Sequence, residues 1–365
     1  MKNQDIHIGI VGAGNIGSTI YQLLKSTGCE YKISIADQVE KHNFFINDDD
    51  YCRLTITKPT YDGHCTQFSQ FVNGKTLIVN ALPFHQNINL YKSCFELGVP
   101  YFDLSEDDAL DKFIDSLKTD KLSFTMPHCG LAPGLSTVIA HDLLAGIENP
   151  TSVKIRVGAL SQNASNKLRY YTSWSGEGLV NEYLGDCQVV ENGKYKTVDA
   201  LTGYEKITLD GREYEAFNTS GGLGTFAKSM DDKYDSLNLN YKTLRRIGHH
   251  DYVDFLFNDL QIPQTDLTSI FRRIPKTRKD AVILYASASG EGMDDERVYH
   301  KVFRPRAING RHLTAIEYTT AIGLLAMVEL FIEKKIPQEG YVRQEDVLWS
   351  DVISTEFGSI YRIEE

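Results

Sequence analysis

Near the N-terminus a β-branched run, Ile6-His7-Ile8-Gly9-Ile10-Val11, meets Gly12-Ala13-Gly14-Asn15-Ile16-Gly17, and apolar residues then recur at helical spacing as Ile16, Ile20, Leu23 and Leu24. A strand that turns through three glycines into a helix leaves few folds open. Gly12 permits the tight turn, Gly14 lets a pyrophosphate approach the backbone, and Gly17 allows close packing of helix on strand, with Asn15 and Ile16 opening the helix behind the phosphates. An acid is expected where the second strand ends, and Asp37 stands there, twenty residues after Gly17. Its carboxylate accepts from both ribose hydroxyls and repels a 2′-phosphate, and Gln38 rather than an arginine follows it. NAD is therefore expected over NADP.

The rest of the first half repeats short strand-like runs, at 31–36, 52–56, 76–80, 101–104 and 122–126, alternating with helical patterns, which predicts a doubly wound parallel α/β sheet. A chain of 365 residues exceeds what one core usually organises, so a second domain is expected. Ser136 is a candidate N-cap for a helix reaching Leu144, after which the texture changes to strands at 153–160, 168–173, 187–190, 195–198, 207–209, 281–287, 297–303 and 313–318. Asn192-Gly193 and Asp210-Gly211 are hairpin turns by composition. The expected organisation is a Rossmann domain over 1–148, an inserted α+β substrate domain with a mixed sheet over 149–318, and a helical segment over 319–365 that returns to the first domain.

A net charge of −11 argues against nucleic acid or an anionic membrane as partner, since both need clustered Lys and Arg. The basic groups Arg245-Arg246 and Arg272, Arg273, Lys276, Arg278, Lys279 are local. Six scattered cysteines show no CxxC, and no His pair stands at metal spacing, so neither a disulfide framework nor a metal site is expected. The N-terminus carries no signal-like core, which points to the reducing cytoplasm. The apolar stretch 320–332 is broken by Glu329 and reads as a buried helix.

Asn80-Ala81-Leu82-Pro83 closes the fourth strand at its carboxyl edge, where ligands of open α/β sheets sit; it either lines the nicotinamide ribose or is an ordinary strand-to-helix turn. Several segments together resemble the saccharopine dehydrogenase family, in particular its L-lysine 6-dehydrogenase-like branch. They are Val11-Gly12-Ala13-Gly14, Val79-Asn80-Ala81-Leu82, Tyr101-Phe102-Asp103-Leu104, Cys129-Gly130-Leu131-Ala132-Pro133-Gly134, Glu177-Gly178-Leu179, Glu215-Ala216-Phe217-Asn218-Thr219-Ser220-Gly221-Gly222 and Tyr241-Lys242-Thr243-Leu244-Arg245. The resemblance implies reversible NAD-linked oxidation at an amine-bearing carbon of an amino-acid substrate, and a homodimer formed through the sheet of the second domain. It also implies an Asp at position 128, where this chain has His.

Hydride leaves an amine-bearing carbon only when the nitrogen is neutral, whereas a lysine ammonium has a pKa near ~10.4, so a base is needed beside the nicotinamide. Asp103, His128 and Cys129 are the titratable groups that topology brings nearest. Asp103 alternatively caps the following segment with Ser105, His128 is alternatively a structural hydrogen-bonder, and Cys129 reads more readily as a packing residue than a nucleophile. For the substrate carboxylate, Thr219-Ser220-Gly221-Gly222 offers hydroxyls and an anion nest, and Arg245 a bidentate partner. Tyr171 and Trp174 are candidate walls for the apolar chain and His249 a further contact; Glu177 is either an anchor for a distal ammonium or, with Asn181 and Glu182, the polar face of a surface helix. The expected reaction converts L-lysine to its semialdehyde with release of ammonia; the rivals are saccharopine dehydrogenase and a non-catalytic NAD-binding sensor.

Overall fold

The computed structural model describes residues 6–28, 30–40, 45–54, 66–117, 122–308 and 310–363. They form two compact units, one built from described residues between 6 and 134 and between 317 and 362, the other from those between 135 and 316.

The first unit opens with β1 (His7–Val11), α1 (Asn15–Ser26), β2 (Lys32–Asp37), β3 (Tyr51–Arg53), α2 (Thr66–Val72), β4 (Leu77–Asn80), α3 (Asn87–Leu97), β5 (Tyr101–Asp103), α4 (Asp108–Ser116) and β6 (Thr125–Met126). All six strands are parallel in the order β3-β2-β1-β4-β5-β6, the doubly wound arrangement whose order reverses between β1 and β4. Because helices cover both faces, Ile8, Ile10, Val11, Ile33, Ile35, Leu77, Ile78 and Val79 are all buried. The expected strand at 52–56 begins one residue earlier, at Tyr51, and ends at Arg53, while residues 55 and 56 lie outside the described residues.

The second unit begins with α5 (Leu135–Leu144) and β7 (Pro150–Ser161), followed by α6 (Gly176–Glu182), β8 (Asp186–Glu191), β9 (Lys194–Asp199), β10 (Glu205–Leu209), β11 (Arg212–Phe217) and α7 (Phe226–Ser229). It continues through β12 (Asn238–Arg245), α8 (His249–Asp254), α9 (Gln264–Phe271), β13 (Asp280–Gly290), β14 (Arg297–Phe303), β15 (Arg306–Ile308) and β16 (Arg311–Leu313). Its eight-stranded sheet runs β10-β11-β12-β7-β13-β14, with the β8–β9 hairpin joined to β12. The pair β12–β7 is parallel and the others antiparallel, so the sheet is mixed. Asn192 and Gly193 (φ 50° and 76°) and Asp210 and Gly211 (φ 49° and 71°) adopt the paired left-handed conformations of a type I′ turn, as their composition requires. Around α6, α8 and α9 a second core gathers Tyr170, Leu179, Tyr183, Phe217, Val253, Phe257 and Phe271.

Three local expectations are corrected. Segment 168–173 is not a strand: the Asn166 side chain bonds both the N–H and the C=O of Tyr170 at 3.0 and 2.9 Å, Arg169 has φ 49°, and only Thr172 makes an isolated bridge, to Lys276. Segment 313–318 is not a strand either, because α10 (Ala315–Ile332) starts there, its first N–H groups, from Ala315 and Ile316, donated to the buried Asp280 carboxylate at 2.7 and 3.0 Å. Ser136 lies inside α5 rather than capping it.

Helix α10, followed by α11 (Trp349–Ser354), carries its long apolar stretch into the first unit's core, with 78% of it buried. Its 18 residues approach the length of a bilayer span, yet Phe331 packs its ring 4.4 Å from Phe124 and 5.7 Å from Phe102, so that apolar surface already has protein partners. Truncating Phe331 to alanine would cost about 3–5 kcal/mol. Beyond α10, residues 340–342 lie along β6, Thr125 N donating to Gly340 O and Val342 N to Thr125 O at 2.9 Å each. This brings Tyr341 and Gln344 to the carboxyl edge of the sheet.

Candidate functional site

At the β1–α1 turn each glycine answers a separate steric demand. Gly12 has φ 104°, and a Cβ there would stand 2.6 Å from the Ala81 carbonyl oxygen; on Gly17 it would stand 1.8 Å from the Gly12 carbonyl oxygen. Nothing lies within 4 Å of a Cβ built on Gly14, so that backbone face is open. Helix α1 starts there without a side-chain cap and without an acid in its first turn, and its leading N–H groups, from Asn15, Ile16 and Gly17, have no intrahelical acceptor. An open backbone face at an uncapped helix N-terminus fits a pyrophosphate. Asp37 is held against the turn, Oδ2 accepting from Ala13 N at 2.7 Å and Oδ1 from Val39 N at 3.2 Å.

Across the switch point, Asn80 fixes the end of β4. Its Nδ2 donates to Asn87 Oδ1 at 2.7 Å and to Tyr101 Oη at 2.8 Å, and its Oδ1 accepts from Leu82 N at 3.0 Å. Ala81 thereby packs against Gly12 and Gly17, with Leu82 half-buried and Pro83 exposed.

The three expected catalytic groups do meet at this edge, yet each is spent internally. Asp103 is buried and accepts from Tyr101 Oη (2.9 Å), Ser105 N (3.1 Å) and His128 N (3.2 Å); desolvation lifts its carboxyl to about 6 against the opposing pull of His128. His128, buried with φ 64°, places Nδ1 3.0 Å from the Ser105 carbonyl and Nε2 3.1 Å from Asp111 Oδ1. Two acceptors require two ring protons. Burial alone would lower its pKa, but the hydrogen bond and charge of Asp111, with Asp103 and Glu106, raise it to about 9. The ring is therefore an imidazolium with no lone pair for a substrate, which corrects its assignment as a base. Cys129 is buried, its thiol pushed well up by desolvation, with Sγ 3.1 Å from Met126 O and 2.9 Å from Gln344 Nε2. It is no nucleophile. Asp111, which also accepts from Tyr341 Oη at 3.2 Å, was not legible as a site residue, since its partners lie 17 and 230 positions away.

In the second unit Arg245 organises a cluster that sequence reading only half anticipated. Its side chain, 2% exposed, donates from Nε to Tyr183 Oη (2.9 Å), from Nη1 to Thr243 Oγ1 (2.7 Å) and Leu244 O (3.0 Å), and from Nη2 to Glu182 Oε2 (3.1 Å). The guanidinium carbon stands 5.1 Å from the Tyr170 ring centre, and Trp174 Nε1 donates to Tyr170 Oη at 2.9 Å. His249 is fully buried with Nδ1 2.9 Å from Leu168 O and Nε2 2.9 Å from Tyr183 Oη. Desolvation and the Arg245 charge lower it to about 3, so it is neutral. Ser220 tethers the glycine turn to α6, its N–H donating to Glu182 O and its Oγ to Asn181 O. Gly221 and Gly222 have φ 82° and 102°, and a Cβ on Gly222 would meet the Tyr241 ring at 2.7 Å. Tyr171 and Glu177 stand apart from this network: the first bonds Ser165, and the second pairs with exposed Arg272 at 3.0 Å. Among the described residues no three His, Cys, Asp or Glu side chains are grouped to hold a metal.

A strand, glycine turn and helix at the switch point of a doubly wound sheet, with a carboxylate closing β2, define a nucleotide-binding Rossmann unit, here joined to a mixed-sheet unit. The saccharopine dehydrogenase NADP binding domain family matches residues 8–123 and the saccharopine dehydrogenase C-terminal domain family residues 130–358. The chain belongs to the saccharopine dehydrogenase family. Its fold is similar to that of apo saccharopine dehydrogenase (L-Glu forming) from Saccharomyces cerevisiae, with a TM-score of 0.71 at 13% identity over 93% of this chain and 94% of that one. It is also similar to the homospermidine synthase from Legionella pneumophila solved with NAD, with a TM-score of 0.66 at 12% identity over 98% of this chain and 89% of that one. No curated protein matches the chain in sequence.

Proposed function

We propose that this chain is an NAD-dependent amino-acid dehydrogenase that oxidises a side-chain amine, with L-lysine converted at its ε carbon to the semialdehyde and ammonia released, acting as a cytoplasmic homodimer. The single observation that carries the cofactor choice is the Asp37 carboxylate, fixed by Ala13 N at 2.7 Å beside the open Gly14 face. A charge held there accepts from ribose hydroxyls and repels a 2′-phosphate, which supports NAD although the matching family is described as NADP binding. When bound, NAD supplies the hydride acceptor; Gly14, Asn15 and Ile16 hold the pyrophosphate, and Asn80 shapes the adjoining edge through Leu82.

Saccharopine, a secondary amine, is the competing substrate, supported by the family itself. A sensor without turnover is supported by the internal engagement of Asp103, His128 and Cys129. The experiment is NADH formation from NAD with L-lysine, saccharopine, L-ornithine and diamines at mildly alkaline pH, where the free-amine fraction grows. Turnover of lysine with ammonia release is expected. Turnover of saccharopine alone selects the rival enzyme, and tight NADH binding without turnover of any compound selects the sensor.

A further inference from the structure

Arg245 and Glu182 form one ion pair, but they are not equally open to a ligand. Arg245 is 2% exposed, and four of its five N–H groups are already donated, to Tyr183, Thr243, Leu244 and Glu182. That leaves a poor clamp for an incoming carboxylate, contrary to the expectation from sequence. Glu182 keeps 29% of its side chain exposed, and only Oε2 is engaged by Arg245; Oε1 has no hydrogen-bond partner among the described residues. The ligand-facing charge of the cluster is negative.

Two further features suit a cation there. Tyr170, whose ring faces Arg245, is tied to Trp174, so aromatic surface adjoins the carboxylate's own partner. Thr219 has a buried hydroxyl with no partner, one residue from Ser220, whose N–H donates to the Glu182 backbone. An ammonium carries three donors, and carboxylate and hydroxyl oxygens accept them. We propose that Glu182 receives the cationic amine of the substrate and that Arg245, locked by Tyr183 and His249, is the positioning residue that aims it. This rests on, and sharpens, the amine-oxidation reading.

The ionisable groups that interact with Glu182 are Arg245, Tyr183 and Tyr170, of which only Arg245 is charged near neutrality. Desolvation outweighs Arg245 and lifts the Glu182 carboxyl to about 7. Affinity for a protonated amine therefore rises about tenfold between pH 6 and pH 8 as Glu182 ionises, while the amine stays charged.

The test is calorimetric binding of L-lysine, 1,5-diaminopentane and the side-chain-neutral L-norleucine to the whole protein with NADH present, for wild type, Glu182→Gln and Glu182→Asp. Wild type is expected to prefer at least one amine over norleucine. The Gln variant is expected to lose that affinity roughly 10- to 100-fold with norleucine binding unchanged, and the Asp variant to retain the preference. Equal binding of amines and norleucine by wild type, or wild-type amine affinity in a folded Gln variant, overturns the proposal. Should the Gln variant not fold, the Asp variant and the wild-type pH profile still decide: an affinity flat from pH 6 to pH 8 also overturns it. Glu182-dependent amine binding without NADH formation would sink the dehydrogenase reading and leave this proposal standing. NADH formation unchanged in the Gln variant would do the reverse.

Discussion

Asp111→Asn isolates the charge that holds His128 protonated. In the folded protein the ring is poised at about 9, against an ordinary value near 6.5, with the Asp111 hydrogen bond and charge opposing desolvation. A group raised in this way contributes its full stability below pH 6.5 and loses it as the pH climbs through 9. The two values give about 3 kcal/mol at pH 6 and a few tenths of a kcal/mol at pH 9.5. Little solvent screening applies, because the two side chains are only 4% and 16% exposed at 3.1 Å. The asparagine keeps an oxygen for Tyr341 but removes the charge, so urea titrations should show a large loss of stability at pH 6 that nearly vanishes at pH 9.5. Imidazole proton shifts of wild-type His128 should move only near pH 9. Equal destabilisation at both pH values would assign the effect to packing, and a His128 titrating at or below 6.5 would refute the reasoning outright.

Gly17→Ala places a methyl 1.8 Å from the Gly12 carbonyl oxygen and should abolish NADH binding, read by nucleotide fluorescence; retained binding would contradict the turn geometry. Asp37→Arg should shift coenzyme preference toward NADP by an order of magnitude or more in kcat/KM, and an unshifted ratio would remove Asp37 from ribose recognition. His249, held neutral to about 3, has a lowered pKa, so its contribution is complete above pH 6.5 and is lost as the pH falls, by about 3 kcal/mol at pH 4.5. Its imidazole shifts should stay at neutral values down to pH 4, and a transition near 6.5 would contradict its burial.

The doubly wound sheet and the hairpins of the mixed sheet were legible because their signals are local: a glycine turn, buried β-branched runs and the Asn192-Gly193 and Asp210-Gly211 turns each carry their conformation in adjacent residues. Failures came where distant groups decide. Residues 313–318 look like a strand until Asp280, 35 positions from Ala315, caps them as a helix. At the site, His128 was recognised, but its protonation is set chiefly by Asp111, 17 positions away, which the motif around it does not reveal. Glu182 resembled the polar face of a surface helix, and only the fold reveals an arginine 63 residues away. The Gly17 requirement is steric and local, set by the Gly12 carbonyl oxygen five residues before it.

The bonds around Arg245 have a fixed polarity. Arg245 has no proton to release, so Tyr183 must accept from it and point its own hydrogen at His249 Nε2, leaving Nδ1–H for the Leu168 carbonyl. Moving a proton along this row would require protonating an imidazole that stays neutral to about 3. The row is thus an insulator for protons and a fixed dipole array. Glu182 must exchange its proton directly with ligand or water, and the orientation of its field is set before any substrate arrives.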